Sequence, residues 1–195
     1  MEDCQKDSID QIIKKLSLRK RQAIENPSLT RAAVLVPLFR KNGKCHLLFT
    51  KRTDRVKHHK GEISFPGGMV DEDDLSLEKT ALREAYEEIG LREDDVQIIG
   101  ALDDIVTVTE FIVTPFVGLF PYPYPFKPSP VEIAELIEVP LSFLLAKEHL
   151  TEHEISRMGR REIIHAYQYG KHTIWGATAR ILKQFLDLIS VPEKG

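Results

Sequence analysis

Cysteine is almost missing from this chain: the 195 residues include only Cys4 and Cys45, with no C-x-x-C pair and no spaced ligand cluster. That excludes a disulfide-stapled scaffold and a cysteine zinc site, and it points to a reducing, cytoplasmic setting. Long apolar runs are missing as well. No stretch approaches the ~20 residues of a bilayer-crossing helix. The start at Met1-Glu2-Asp3 is unlike a secretory signal, and Pro192-Glu193-Lys194-Gly195 matches no recognised address, so no membrane partner is expected. Charge is not strongly one-sided, at a formal net −3. Nucleic acid therefore has no global attraction, and a polyanionic ligand needs a local basic patch. Internal repeats are absent, and the only biased tract is a proline-rich loop. The 42% hydrophobic content suffices for one core, so residues 1–195 are expected to form a single domain, with 1–28 as an N-terminal helical extension.

The segment that carries chemistry begins at Phe65-Pro66-Gly67-Gly68 and continues to Gly90-Leu91. Ser76 to Ile89 holds good helix formers and no Gly or Pro, with Ser76 suited to the N-cap and Gly90 to the stop. At roughly 100° per residue, Leu77, Ala81, Leu82, Ala85 and Ile89 share one arc, and Glu84, Glu87 and Glu88 cluster on the next. Three carboxylates so spaced repel unless a cation sits among them, and only Arg83, four residues before Glu87, offers local relief. A hard divalent ion such as magnesium, which takes oxygen ligands and is completed by substrate phosphates, suits that edge. The ordinary alternative is a solvated acidic face. Against it stands the turn upstream: Gly67 and Gly68 are expected to adopt φ > 0 and let the backbone approach a ligand. Asp71, Asp73 and Asp74 do not make a calcium loop, because the glycine of its sharp turn is missing.

Elsewhere the pattern is that of a mixed α/β fold. Ser8-Ile9-Asp10-Gln11 resembles a capping box ahead of an amphipathic helix with a basic end (Lys14, Lys15, Arg19, Lys20, Arg21), a solvated face in its plain reading. Arg31–Phe39 and Cys45–Thr50 flank Asn42-Gly43 as a β-hairpin. Lys51 to Lys60 is strongly basic, either a solvated loop or a grip on several phosphates, while His58-His59 lacks a third ligand for a metal site. Val96–Leu102 and Ile112–Phe120 are predicted strands, the second placed at an edge or bulge by Pro115. Between them, residues 103–110 could line a pocket. The prolines of 121–130 exclude regular structure, and the aromatics there are expected to cover the core. Val131–Val139 forms another strand, Pro140 opens a short helix, 162–169 and 171–175 form a last hairpin, and 176–189 a C-terminal helix, with Trp175 assigned to the core.

The helix also carries a family resemblance. Arg83-Glu84-Ala85-Tyr86-Glu87-Glu88-Ile89-Gly90-Leu91 resembles the R-E-U-x-E-E-x-G-U half of the Nudix box. Its upstream half departs from the general form: the acidic position is Asp74, with eight residues before Arg83. That departure is similar to the coenzyme A pyrophosphatase branch, as is the preceding run Leu47–Thr53, Lys57–Ser64 and Phe65–Gly68, with Lys57 where that branch usually has Arg. The resemblance covers about Leu29 to Ile189 and implies an α/β/α sandwich with a mixed β-sheet. It implies that Glu84, Glu87 and Glu88 hold Mg2+ or Mn2+, and that Arg83 orients them. Glu132, in competition with Glu135 and Glu138, would help bind metal or activate water. Arg52, Lys57, Gly61, Gly67 and Gly68 would serve a small-molecule substrate, coenzyme A or acyl-coenzyme A, hydrolysed at its diphosphate. Another nucleoside diphosphate derivative (ADP-ribose, NADH or an oxidised nucleotide) and a non-catalytic nucleotide sensor stay open, as does the oligomeric state, a homodimer included.

Overall fold

The computed structural model describes residues 9–55, 59–157 and 160–190, the side chains of 153 and 155–162 excepted. Cys4, Ser8, Lys57 and His58 lie outside them. The strands are β1 (Thr30–Lys41), β2 (Lys44–Arg52), β3 (Ile63–Ser64), β4 (Gly67–Met69), β5 (Gln97–Ala101), β6 (Ile105–Val106), β7 (Phe111–Leu119), β8 (Ile133–Pro140), β9 (Leu150–Arg157), β10 (Arg160–Tyr169) and β11 (His172–Ile174). The α-helices are α1 (Ile9–Ser17), α2 (Leu77–Ile89), α3 (Leu141–Leu145) and α4 (Gly176–Ser190). The first eight strands form one mixed sheet and the last three a smaller one.

β1 runs through the middle of the large sheet, parallel to β7 on one edge. A strand buried on both faces carries apolar residues at successive positions, and β1 does. Ala33, Leu35 and Phe39 pack with α2 on one face, and Val36 and Leu38 join the α1 and α4 side on the other. Helices thus lie on both faces, the expected α/β/α sandwich. The Asn42-Gly43 hairpin forms as expected, with φ of 50° and 77° at the two turn residues and Lys41 paired to Lys44.

The hairpin then splits. β1 pairs with β2 only from Leu38↔Leu47 to Lys41↔Lys44. Beyond that point β3 joins β2 (Thr50↔Ser64) and β4 joins β1 (Ala33↔Gly68). The glycine segment is therefore wedged into a gap in the sheet, held there by the Leu35 N–H donating to the Pro66 carbonyl at 2.8 Å.

Three expectations are corrected. Gly67 and Gly68 are not a φ > 0 turn; they are strand residues outside the left-handed region. Glycine is required by close approach instead. A Cβ on Gly67 would lie 2.6 Å from Val34 Cα, and one on Gly68 would lie 2.5 Å from Glu84 Cδ. β7 is interior, so of the two alternatives for Pro115 the edge is overturned, while pairing on its outer side is interrupted there. Its outer edge is shared by β5, which pairs as far as Phe116, and β6, which starts at Val113. Pro115 falls in the break, where its carbonyl accepts the Leu102 N–H at 2.9 Å, so its missing donor leaves no ladder bond unmade. Trp175 is half exposed at 50%. Alternation along β11 turns His172 and Ile174 inward and Thr173 outward, and Trp175 follows outward.

The C-terminal helix and the proline-rich loop agree with the sequence reading, β6 and β9 add to it, and the basic stretch at the end of α1 departs from it, because Arg19 and Arg21 are engaged in ion pairs and do not form a solvated face. The stripe of α4 (Ala179, Leu182, Phe185, Leu186, Ile189) is buried. Tyr122, Tyr124 and Phe126 of the proline loop pack against the α2-side core. Asp103 and Asp104 face the N-terminal segment: Arg19 pairs with Asp103 at 2.6 Å and Arg21 with Asp104 at 2.8 Å. Among the described residues no helix is long and apolar enough to cross a membrane.

Candidate active site

α2 begins and ends where its sequence dictates. Ser76 Oγ accepts the Lys79 N–H at 3.2 Å. Gly90, with φ 70°, donates its N–H to Tyr86 O. Burial of Ala81, Ala85 and Ile89 against β1 fixes the rotation of the helix and turns its glutamate edge toward β4 and the end of β2. The helix is capped from outside as well: Lys127 N–H donates to Ile89 O at 2.9 Å and Ser129 N–H to Glu88 O at 2.8 Å. Bonds of this kind satisfy carbonyls that a helix end leaves orphaned. The proline-rich stretch gave no sign of that duty in the sequence.

The three glutamates differ in environment. Glu88 is 2% exposed; its Oε1 accepts from Arg52 Nη1 at 3.1 Å, while its Oε2 is buried without a hydrogen-bond partner. Burial pushes its carboxyl up to about 8; the Arg52 charge opposes this, and Glu84 and Glu132 reinforce it. Burial also raises Glu84, whose carboxylate abuts Gly68 and accepts from Arg83 Nη1 at 2.8 Å. Glu87 is the open member, its side chain 55% exposed and 3.2 Å from the same Arg83 nitrogen.

Arg83 ties the cluster to the loop before it. Its Nε and Nη2 grip Asp74 at 3.0 and 2.9 Å, and Nη2 also donates to Met69 O at 3.0 Å. Asp74 accepts in addition from the Asp71 N–H and the Thr80 hydroxyl, each at 2.9 Å. The arginine beside it holds the Asp74 carboxyl well below the usual range, although burial opposes this. The aspartate at the unusual box position is thus an anchor for Arg83.

Of the three later acids, Glu132 alone faces the box. Glu135 pairs with His172 at 3.2 Å and Lys171 at 3.5 Å. Glu138 bonds Lys41 at 2.5 Å and Tyr122 at 3.1 Å. Glu132 is seated by its own N–H to Ser129 O (3.1 Å) and by its carbonyl, which accepts the Thr53 N–H at 2.8 Å. Its carboxylate stands 3.9 Å from Arg52 Nη2. Gly61 lies in the turn between β2 and β3 at φ 68°, with only Asp54 Oδ1, at 3.6 Å, near a would-be Cβ; it is needed for conformation and not for space. Arg52 turns onto the Glu88 carboxylate of α2, a contact the sequence did not reveal.

Among the described residues no three His, Cys, Asp or Glu side chains converge on a common point. The residues nonetheless fit a hard divalent ion. Their donors are carboxylate oxygens, and Glu88 Oε2 is an orphaned buried acceptor, which costs stability unless a cation or donor reaches it.

A mixed sheet between helices is thus split to seat a glycine strand beneath a carboxylate helix. The NUDIX domain model matches residues 29–157, and the chain belongs to the Nudix family. An uncharacterized Nudix hydrolase named NudL from Photorhabdus laumondii is 39% identical over 160 residues, covering 82% of this chain and 85% of the relative. One of the same name from Citrobacter koseri is 36% identical over 186 residues, or 94% and 96% of the two chains. The fold is shared with a MutT/nudix family protein of Enterococcus faecalis, at a TM-score of 0.52 and 16% identity over 95% of this chain and 71% of that one. The protein is a Nudix hydrolase acting on a nucleoside diphosphate derivative.

Proposed function

We propose that the derivative is coenzyme A or an acyl-coenzyme A, split at its diphosphate into 4′-phosphopantetheine (or its acyl form) and adenosine 3′,5′-bisphosphate. The observation that carries this reading is the continuity of Leu47–Gly68. The run that resembles the coenzyme A branch is β2, the basic loop and the β3–β4 wedge, and its last glycine abuts Glu84. Cations in that loop, Lys57 among them, suit a ligand with three phosphate groups. Gly61 shapes the loop, Gly67 lets β4 approach Val34, and Gly68 keeps the space beside Glu84 free of a side chain.

Glu84, Glu87 and Glu88 would hold a magnesium or manganese ion, which when bound supplies charge neutralisation on the diphosphate and activation of the attacking water. The protein's own part is positioning. Arg83, braced by Asp74, sets Glu84 and Glu87. Glu132 presents a further carboxylate to the same space, available to orient water or accept its proton. Attack of water on one phosphorus needs no covalent enzyme intermediate.

The test is product analysis by chromatography with Mg2+ or Mn2+, offering coenzyme A, ADP-ribose, NADH and 8-oxo-dGTP. Coenzyme A is expected to be cleaved with the highest kcat/KM. If it survives while another is cleaved, the substrate assignment is lost, and binding without turnover of any substrate would identify a sensor. Glu87→Gln is expected to lower kcat by roughly 100-fold or more with an unchanged melting curve, since Glu87 is largely exposed; near-normal activity would remove it from the metal site.

A further inference from the structure

We infer that Arg52 is a positioning residue that holds Glu88 and Glu132 in register across the split sheet, and that it does not grip the substrate's phosphates. The inference rests on the proposed metal role of Glu88 but not on coenzyme A being the substrate.

Arg52 is the last residue of β2. Leu48 of the same strand is buried on the α2 side, and Arg52, beside a register shift at Lys51/Arg52, turns its side chain to the same helix. There its guanidinium meets Glu88 at 3.1 Å through Nη1 and Glu132 at 3.9 Å through Nη2, with 23% of the side chain exposed. The backbone locks both ends of this bridge. β2 and β8 pair at Arg52↔Ile133, directly beside Glu132, and the next residue of the chain, Thr53, donates its N–H to Glu132 O at 2.8 Å and its hydroxyl to Val131 O at 2.5 Å. Ser129 closes the ring: its N–H caps the Glu88 carbonyl, and its own carbonyl accepts the N–H of Glu132.

A planar fork suits two carboxylates better than a lysine would. Arg52 occupies Oε1 of Glu88 and leaves Oε2 as the buried atom without a partner. One carboxylate oxygen is thus fixed by the protein and the other is presented for a ligand, the arrangement by which a neighbour outside the ligand set orients a metal ligand. A phosphate-binding arginine would instead be turned out among the cations of the basic loop.

The deciding measurement is Mn2+ binding to substrate-free protein, followed by the spin-resonance signal of the free ion, for wild type, R52Q and R52K. R52Q is expected to bind Mn2+ roughly 10–100-fold more weakly, with kcat reduced and KM for the hydrolysed substrate within about twofold of wild type. R52K, which keeps the cation but not the fork, is expected to fall between the two. Unchanged or tighter Mn2+ binding in R52Q overturns the assignment. So does weaker binding accompanied by a KM raised more than about tenfold, which is the mark of a substrate ligand. If R52Q does not fold, R52K with wild-type Mn2+ affinity overturns it equally. Absence of Mn2+ binding by the wild type would defeat the metal reading itself, whereas binding without cleavage of coenzyme A would defeat only the choice of substrate.

Discussion

Asp74 shows how one residue can look like a site ligand and act as a brace. Its carboxylate is 6% exposed and receives both Arg83 nitrogens. Hydrogen bonds to a charged group in a partly buried site contribute about 1.5–3 kcal/mol, less where solvent screens the pair. Asp74→Asn is therefore expected to destabilise the metal-free protein at pH 7 by about 1–2 kcal/mol in denaturant titrations. The pH dependence follows from the sign of the shift. The folded carboxyl is held below its ordinary value by Arg83, so its stabilisation is fully present above the unfolded value of about 3.9 and is lost as pH falls toward the folded one. The gap between wild type and variant should narrow below about pH 4; a gap independent of pH would show that Asp74 acts by shape and not by charge.

At the scale of the element, α2 was the most legible part of the chain. Its caps, its apolar arc and its acidic edge all follow from spacing, because a helix repeats every few residues and its start and stop are local. Ser76→Ala removes the acceptor of the Lys79 N–H and is expected to cost about 1 kcal/mol, seen as a lower melting temperature with kcat/KM little changed. A tenfold loss of activity would mean that the first turn, and not only the box, sets the glutamates. The glycine strand was less legible. A Gly-Gly pair reads as a turn when only its own backbone freedom is considered, and its actual reason, the nearness of Val34 and of Glu84, lies in residues distant in sequence. β9 went unread because its described run Leu150-Thr151-Glu152-His153-Glu154 has little apolar periodicity.

Across the whole molecule, the described N-terminal residues 9–28 pack against the large sheet and α4. Asp104, its side chain fully buried, gathers Arg21 at 2.8 Å, Arg31 at 3.8 Å, the Ile24 N–H at 2.9 Å and the Thr114 hydroxyl at 2.7 Å. α1 meanwhile buries Ile12 and Leu16 in the α4-side core. Asp104→Ala is expected to cost about 3 kcal/mol, with faster amide exchange in residues 18–28 than in α2. Exchange rising equally in both would mean that the sheet as a whole had loosened.

The sequence by itself determined α2, the hairpin at Asn42-Gly43, the C-terminal helix and the placing of Glu84, Glu87 and Glu88 along one edge of α2, because each is written in short-range spacing. Only the tertiary structure decided that the hairpin splits to admit β4, that Glu132 and not Glu135 or Glu138 faces the box, and that Arg52 lies against Glu88. Those outcomes depend on which strand edges pair and on which charges are buried together. Such facts arise between residues far apart in the chain, 36 positions for Arg52 to Glu88 and 80 for Arg52 to Glu132, and no local pattern records them.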